Sequence, residues 1–243
     1  MNAADTILFD LDGTLLEMHT ESFIEHYLQE LGAYIGDRYD AKRMLALIWD
    51  ATKAMIQSDD PQKTNEQVFT EHFLGAAGLH KEQIWPLFDA FYGDVFPTLV
   101  RHTHPSPWAK PIVAAAKRHG YRLVVATNPV FPREAIYCRL SWLELPPEQF
   151  DLITVYEDFH HTKPNPGYYW EICDRLGVRP ADCVMVGNNM QEDMVASQLG
   201  MKTFLVTDYL EDRGEPAYPV QQRGTIKELY QAIAERSGVF SAV

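Results

Sequence analysis

From Pro111 onward, helical stretches alternate with short apolar stretches, and this alternation limits the possible folds more than any other feature of the sequence. Helical patterns at 110–119, 167–176 and 191–199 each end at a glycine that precedes an apolar stretch. Glycine ends helices well because it adopts positive φ readily. The predicted strands are 121–126, 151–155, 183–186 and 203–206, and a closing helix is predicted at 225–236. Such a repeat is typical of an α/β fold with a parallel sheet covered by helices.

The segment 6–10 is predicted to be a further, fully buried strand of this sheet, because both of its faces are apolar. Its last residue is Asp10, and Asp12, Gly13 and Thr14 follow directly. Two carboxylates are thus held one residue apart at the rim of a sheet. Asp and Gly are also ordinary turn residues after a strand, so this motif alone leaves a structural and a chemical interpretation open.

Residues 18–105 differ from the rest of the chain, because they show helical periodicity without strand patterns. Phe23, Tyr27 and Leu31, for example, recur on one helix face. We interpret these aromatic and methionine stripes as the core of a helical subdomain inserted into the α/β part. The α/β part then consists of residues 1–17 and 106–243.

The composition excludes several classes of partner. The 243 residues carry a formal net charge of -13, and the pI is near 5.1, which disfavours nucleic acids and anionic membranes. The three cysteines show no CxxC spacing, so neither a disulfide framework nor a zinc knuckle is expected. The first strand begins by Thr6, and no apolar stretch approaches the length of a membrane span. We therefore expect a cytoplasmic protein without a signal peptide.

Polar residues follow the carboxyl ends of several predicted strands. Thr127 and Asn128 follow 121–126, and Lys163 lies in the loop after 151–155. The polar segment 187–193 comes after 183–186. Ligands of open α/β sheets bind at the carboxyl ends of the strands. A carboxylate, a hydroxyl and an ammonium group at one such edge suit phosphoryl transfer, which needs a nucleophile and positive charge around the transferred oxygens.

These motifs resemble those of the haloacid dehalogenase-like superfamily of hydrolases, most of whose members are Mg-dependent phosphatases. The DxDGT motif is Asp10–Thr14, the hydroxyl motif is Thr127 in ATNP, and the lysine motif is Lys163 before a proline. The usually acidic fourth motif departs from the family pattern and is GNNMQED at 187–193. The resemblance implies a Rossmann-like parallel sheet under a helical cap of the first type, residues 18–105.

The resemblance also implies roles for individual residues. Asp10 would be the nucleophile that forms an aspartyl-phosphate, and Asp12 the general acid and base. Thr127 and Lys163 complete the predicted catalytic set. The phosphate-binding candidates are Asp12, Gly13, Thr14, Thr127, Asn128 and Lys163. The candidate Mg²⁺ ligands are Asp10, the backbone carbonyl of Asp12, Asn188, Asn189 and Asp193. Asn188 and Asn189 are alternatives for the first acidic place of the fourth motif, and Asn188 is slightly favoured.

The expected activity is Mg²⁺-dependent hydrolysis of a phosphate monoester on a small phosphorylated metabolite. Dehalogenating and phosphonate-cleaving members carry a different residue at the position of Asp12, which disfavours both reactions here. A phosphomutase of the same family is an alternative. Because the fourth motif has lost a carboxylate, a weakened enzyme that serves as a phospholigand-binding or interaction protein is another.

Overall fold

The computed structural model describes residues 4–241. The eight strands are β1 (Thr6–Phe9), β2 (Leu16–Glu17), β3 (His104–Pro105), β4 (Arg122–Val125), β5 (Leu152–Ile153), β6 (Cys183–Gly187), β7 (Lys202–Val206) and β8 (Gln222–Gly224). The eight α-helices are α1 (Thr20–Gly36), α2 (Ala41–Ile56), α3 (Asn65–Ala77), α4 (Lys81–Asp94), α5 (Ala109–Arg118), α6 (Arg133–Trp142), α7 (Pro166–Leu176) and α8 (Ile226–Ala234).

Six strands form one sheet in the order β5-β4-β1-β6-β7-β8, and every neighbouring pair is parallel. The predicted α/β, Rossmann-like fold class is therefore confirmed. Strand β1 lies inside the sheet, where Ile7 pairs with Leu123 of β4 on one side and Val184 of β6 on the other. Strands β4 and β5 lie on one side of β1, and β6, β7 and β8 lie on the other, so the strand order reverses at β1. Open α/β sheets bind ligands at such a switch point.

Both faces of β1 are buried, as its sequence predicts. Ile7 and Phe9 belong to a cluster with residues of α5 and α8, such as Ile112 and Leu229. Leu8 points to the opposite face and belongs to a second cluster with residues of α7, including Tyr168. Because helices cover both faces, every residue of β1 is apolar or fully buried, and the first carboxylate stands at its end.

The segment 18–105 contains α1–α4 and a 3₁₀ helix at Phe96–His102. It is joined to the rest by a short antiparallel ribbon in which Leu16 pairs with Pro105. Its apolar stripes pack against one another, and the cluster that they form is continuous with the core beside the sheet. Phe23 and Phe91 belong to the same buried cluster as Ile7, because ring contacts continue through Phe96 to Trp142 of α6. The division of the chain into separate domains stays a prediction.

One local prediction is wrong, and one helix was not predicted. The helix expected at 191–199 is a 3₁₀ helix at Met194–Leu199, since Asn189 ties the preceding residues into a turn. Helix α6 has no counterpart among the predicted elements, because its buried face carries Arg139 and the charge interrupts the apolar pattern. The part of the chain that the structure describes has no helix long and apolar enough to cross a membrane.

Candidate active site

The carboxylate of Asp10 lies at the carboxyl edge of the sheet, between the ends of β4 and β6. The Asp10 N–H donates to the Val186 carbonyl at 2.8 Å, and the Ala126 N–H donates to the Phe9 carbonyl at 2.7 Å. Both neighbouring strands therefore hold the backbone up to the residue that carries the carboxylate. Thr127 lies two residues after the end of β4 and is buried, with its own carbonyl accepting from the Thr154 hydroxyl at 2.6 Å.

Lys163 connects two carboxylates from distant parts of the chain. Its Nζ donates to Asp10 Oδ1 at 2.8 Å and to Asp193 Oδ1 at 2.6 Å. Burial alone lowers the pKa of Lys163, but Asp10 and Asp193 raise it well above its ordinary value. The Lys163 N–H donates to Asn128 Oδ1 at 3.1 Å, so the side chain of Asn128 positions the lysine loop. Lys163 is thus a fixed, charged group within this cluster.

Thr14 links Asp10 to the fourth motif. Its Oγ1 lies 3.1 Å from Asp10 Oδ2 and 3.1 Å from Asn188 Oδ1, and one hydroxyl proton serves both oxygens. The Asn188 amide donates to the Tyr209 carbonyl at 2.6 Å, which directs its oxygen toward Thr14. Gly13 is needed here, because its φ is +79° and a Cβ would lie 2.2 Å from Asn188 Nδ2.

Asp193 is a buried carboxylate whose second oxygen accepts from the Asn189 N–H at 2.9 Å. A Cβ on Gly187 would lie 2.1 Å from this carboxylate, so the glycine admits Asp193 to the end of β6. Burial raises the pKa of Asp193 to about 7, while Lys163 lowers it and the charge of Asp10 raises it further. The fourth motif therefore delivers a second carboxylate to Lys163.

Asn189 does not join the cluster, although it is one of the two candidate amide ligands. Its Oδ1 accepts from the N–H groups of Gln191 and Glu192 at 3.0 and 2.9 Å. Its Nδ2 donates to Glu211 at 2.9 Å. Both ends of the amide are used to close the turn, so Asn188 is the residue that the structure brings toward Asp10.

Asp12 has a partner that sequence reasoning missed. Arg139 of α6 donates through Nη1 to Asp12 Oδ2, and its Nε donates to the Ala135 carbonyl at 3.2 Å. The guanidinium carbon lies 4.5 Å from the centre of the Phe131 ring. Burial raises the pKa of Asp12 to about 6; the charge of Arg139 opposes this shift and that of Asp10 adds to it. No motif in the sequence marks Arg139, which is 127 residues from its partner.

The charges of this cluster do not balance. Asp10, Asp12 and Asp193 bring three carboxylates, against the two cations Lys163 and Arg139. Within residues 4–241, no three His, Cys, Asp or Glu side chains are grouped as metal ligands, and Asp12 Oδ1 has no hydrogen-bond partner although it is buried. The excess negative charge and the amide oxygen of Asn188 suit a hard cation with oxygen ligands and retained waters.

The sequence pattern of the haloacid dehalogenase-like hydrolases matches residues 4–200. This chain belongs to that family. Pyrophosphatase PpaX of Bacillus cereus (strain AH820) is 26% identical to this hydrolase over 209 residues, which are 86% of each chain.

Solved structures share the fold of this hydrolase. A HAD phosphatase from Thermococcus onnurineus has 23% identity and a TM-score of 0.58, with 94% of this chain and 97% of that chain covered. A predicted phosphoglycolate phosphatase from Haemophilus somnus 129PT has 19% identity and a TM-score of 0.59, with coverage of 95% and 98%. At these identities the likeness concerns the fold alone.

Proposed function

We propose that this hydrolase cleaves phosphate monoesters of small metabolites through an aspartyl-phosphate on Asp10, with Mg²⁺ as its cofactor. The observation that carries the proposal is the Lys163 ammonium, which joins Asp10 and Asp193 at the end of the central strand. This arrangement combines a nucleophilic carboxylate with fixed positive charge, as phosphoryl transfer requires. The name of the PpaX pyrophosphatase supports hydrolysis at phosphorus.

The reaction proceeds in two displacements. An Asp10 oxygen forms a bond to phosphorus, and the bond between phosphorus and the leaving alcohol oxygen breaks with its electron pair. The Asp12 carboxyl gives its proton to that oxygen. Water then forms the next bond to phosphorus and passes a proton to Asp12, while the bond from phosphorus to Asp10 breaks. Because burial brings the pKa of Asp12 to about 6, both of its protonation states are accessible near neutral pH.

The remaining polar residues hold the phosphoryl group. Lys163 neutralises charge on its oxygens, and Thr127 and the backbone beside Asn128 donate hydrogen bonds to them. Asp10, Asn188 and Asp193 are the side chains that would hold Mg²⁺, together with the Asp12 carbonyl. The excess negative charge of the cluster favours binding of a divalent cation such as Mg²⁺. When bound, Mg²⁺ supplies positive charge that neutralises the transferred phosphoryl group.

The test is trapping of the phosphoenzyme. The protein is mixed with an aryl phosphate and Mg²⁺ and acid-quenched, and its mass is measured. We expect a protein species heavier by one phosphoryl group, located on the peptide of Asp10, and phosphate release that stops with EDTA. Asp10→Asn should remove both, whereas Asp174→Asn, an exposed carboxylate on α7, should change neither. Turnover by Asp10→Asn would overturn the aspartyl-phosphate, and full activity in EDTA would overturn the cofactor.

A further inference from the structure

Asn65, the first residue of α3, is fully buried although it carries a polar side chain. It belongs to the helical insertion, residues 18–105. Its Nδ2 donates to the Pro129 carbonyl at 3.1 Å and to the His161 carbonyl at 3.3 Å. Both carbonyls belong to the α/β part, 64 and 96 residues away in sequence. One amide of the insertion therefore joins two separate segments of the α/β part.

The two segments are loops that carry catalytic candidates. Pro129 lies in the loop 126–132 between β4 and α6, two residues after Thr127. His161 lies in the lysine loop, residues 154–165 between β5 and α7, two residues before Lys163. The side chain of Asn128 already connects the same loops, because its Oδ1 accepts from the Lys163 N–H at 3.1 Å. The amide from the insertion is thus a second cross-link between them.

The backbone of α3 is anchored to the lysine loop as well. The first N–H groups of a helix have no partner within the helix and are satisfied elsewhere. In α3 the Asn65 N–H donates to the Phe159 carbonyl at 2.7 Å. The Glu66 N–H donates to the Tyr156 carbonyl at 2.9 Å. The start of α3 and the lysine loop therefore hold each other in place.

Further contacts with the insertion lie next to Lys163 in sequence. The Thr162 hydroxyl donates to the Ile56 carbonyl at 3.4 Å. On the other side of the lysine, Asn165 Nδ2 donates to Asp59 Oδ1 at 2.6 Å. The insertion therefore contacts the lysine loop both before and after Lys163.

The Asn65 side chain is buried at a cost to stability. Its Oδ1 has no hydrogen-bond partner within residues 4–241, and a buried acceptor without a donor is destabilising. Its Nδ2, in contrast, donates to both loops. Residues that break such local rules concentrate at functional sites. The two donated hydrogen bonds, rather than a gain in stability, account for an asparagine at this position.

Resting on the function proposed above, we infer that Asn65 is a positioning residue for the reaction. It holds the lysine loop to the loop 126–132, so that the Lys163 ammonium and the Thr127 hydroxyl reach the same phosphoryl group. Asn65 acts through the backbone of these loops, and it is neither the nucleophile nor a candidate metal ligand. The placement of Lys163 therefore depends on the helical insertion as well as on the sheet.

The first arm of the test measures single turnovers of acetyl phosphate with Mg²⁺. Asn65→Ala removes both donors and should slow phosphoenzyme formation by about 10- to 100-fold, since a misplacement of about 1 Å costs up to about 10²-fold. Phe73→Leu, a change in the buried face of the same helix, should destabilise the protein and leave this rate unchanged. An unchanged rate in Asn65→Ala, or equal slowing in Phe73→Leu, would overturn the inference. A wild-type protein that forms no phosphoenzyme would instead contradict the proposed function.

A second variant separates the donors from the volume of the side chain. Asn65→Leu fills the same space and also removes the unpartnered oxygen, so it serves if Asn65→Ala does not fold. It should be slowed as much as Asn65→Ala, because it donates to neither carbonyl. Wild-type rates in Asn65→Leu would show that the side chain only fills space, and would overturn the inference.

The last arm follows hydrogen exchange by NMR and needs no catalysis. Amides of one cooperative unit open together, so in the unchanged protein the N–H groups of Asn65, Glu66 and Lys163 should show equal protection. In Asn65→Leu the Lys163 N–H should exchange about tenfold faster, as loss of a hydrogen bond predicts, while that of Leu8 in β1 should not change. Unequal protection in the unchanged protein, or unchanged exchange at Lys163 in the variant, would overturn the inference whatever the activity.

Discussion

Replacing Arg139 with methionine tests the most unusual contact of the site. The Arg139 side chain is 1% exposed and that of Asp12 is 16% exposed, so their ion pair is almost fully removed from water. Methionine can keep the packing against Phe131 but leaves the Asp12 carboxylate without its cation. Removal of one partner of a buried ion pair costs about 3–5 kcal/mol, mainly because the other charge stays buried. We expect Arg139→Met to lower the free energy of unfolding by an amount in this range at pH 8.

The loss of stability in Arg139→Met should depend on pH, because protonation of Asp12 removes its unpaired buried charge. Arg139 lowers the pKa of Asp12, so its removal raises that pKa above about 6. At pH 5 the carboxyl of the variant is then neutral, and a neutral group is buried at lower cost. Urea unfolding followed by circular dichroism should therefore show a smaller difference between variant and wild type at pH 5 than at pH 8.

A double-mutant cycle separates the ion pair from packing. The double variant Asp12→Asn/Arg139→Met should be more stable at pH 8 than the sum of the two single changes predicts. Arg101→Met provides the control, because Arg101 pairs with Glu30 at the surface with 51% and 34% of the two side chains exposed, and its loss should cost no more than about 1 kcal/mol. Strictly additive single effects, or a cost for Arg139→Met no larger than the control, would refute the reasoning.

Three further predictions concern the carboxylates and the metal. Asp12→Asn should slow hydrolysis of alkyl phosphates by about 10²–10⁴-fold and affect aryl phosphates with good leaving groups much less; equal losses in single-turnover assays would contradict its role as general acid. Asn188→Asp should lower the Mg²⁺ concentration for half-maximal activity and Asp193→Asn should raise it, while Asn189→Asp, whose side chain closes a turn, should leave the Mg²⁺ titration unchanged. Because folding raises the pKa values of Asp12 and Asp193 from 3.8 to about 6 and about 7, the contribution of these two carboxyls to the stability of the metal-free protein is fully present below 3.8 and is lost as the pH rises through the two raised values. Urea unfolding at pH 5 and pH 8 should show this loss, and a higher stability at pH 8 would contradict it.

The sequence determined the sheet and the edge at which the polar residues meet. Apolar runs that end at Asp10 and at Thr127 predict parallel strands, and parallel strands bring their carboxyl ends to one edge. The pairing of Lys163 with Asp10 at 2.8 Å agrees with that expectation. The DxDGT motif after β1, Thr127 after β4 and Lys163 in the loop after β5 are enough to indicate the family, because local patterns predict these strands.

Only the tertiary structure decides which of two neighbouring asparagines lies at the site, and only it places Arg139 beside Asp12. Asn188 and Asn189 are the same residue type one position apart, and only the contacts of Thr14 and Glu211 direct one to the site and the other to a turn. Arg139 interrupts the apolar pattern of α6 and meets Asp12 across 127 residues of sequence. The Arg139 side chain is buried because its guanidinium group packs against Phe131. No local pattern of hydrophobicity or charge encodes that contact.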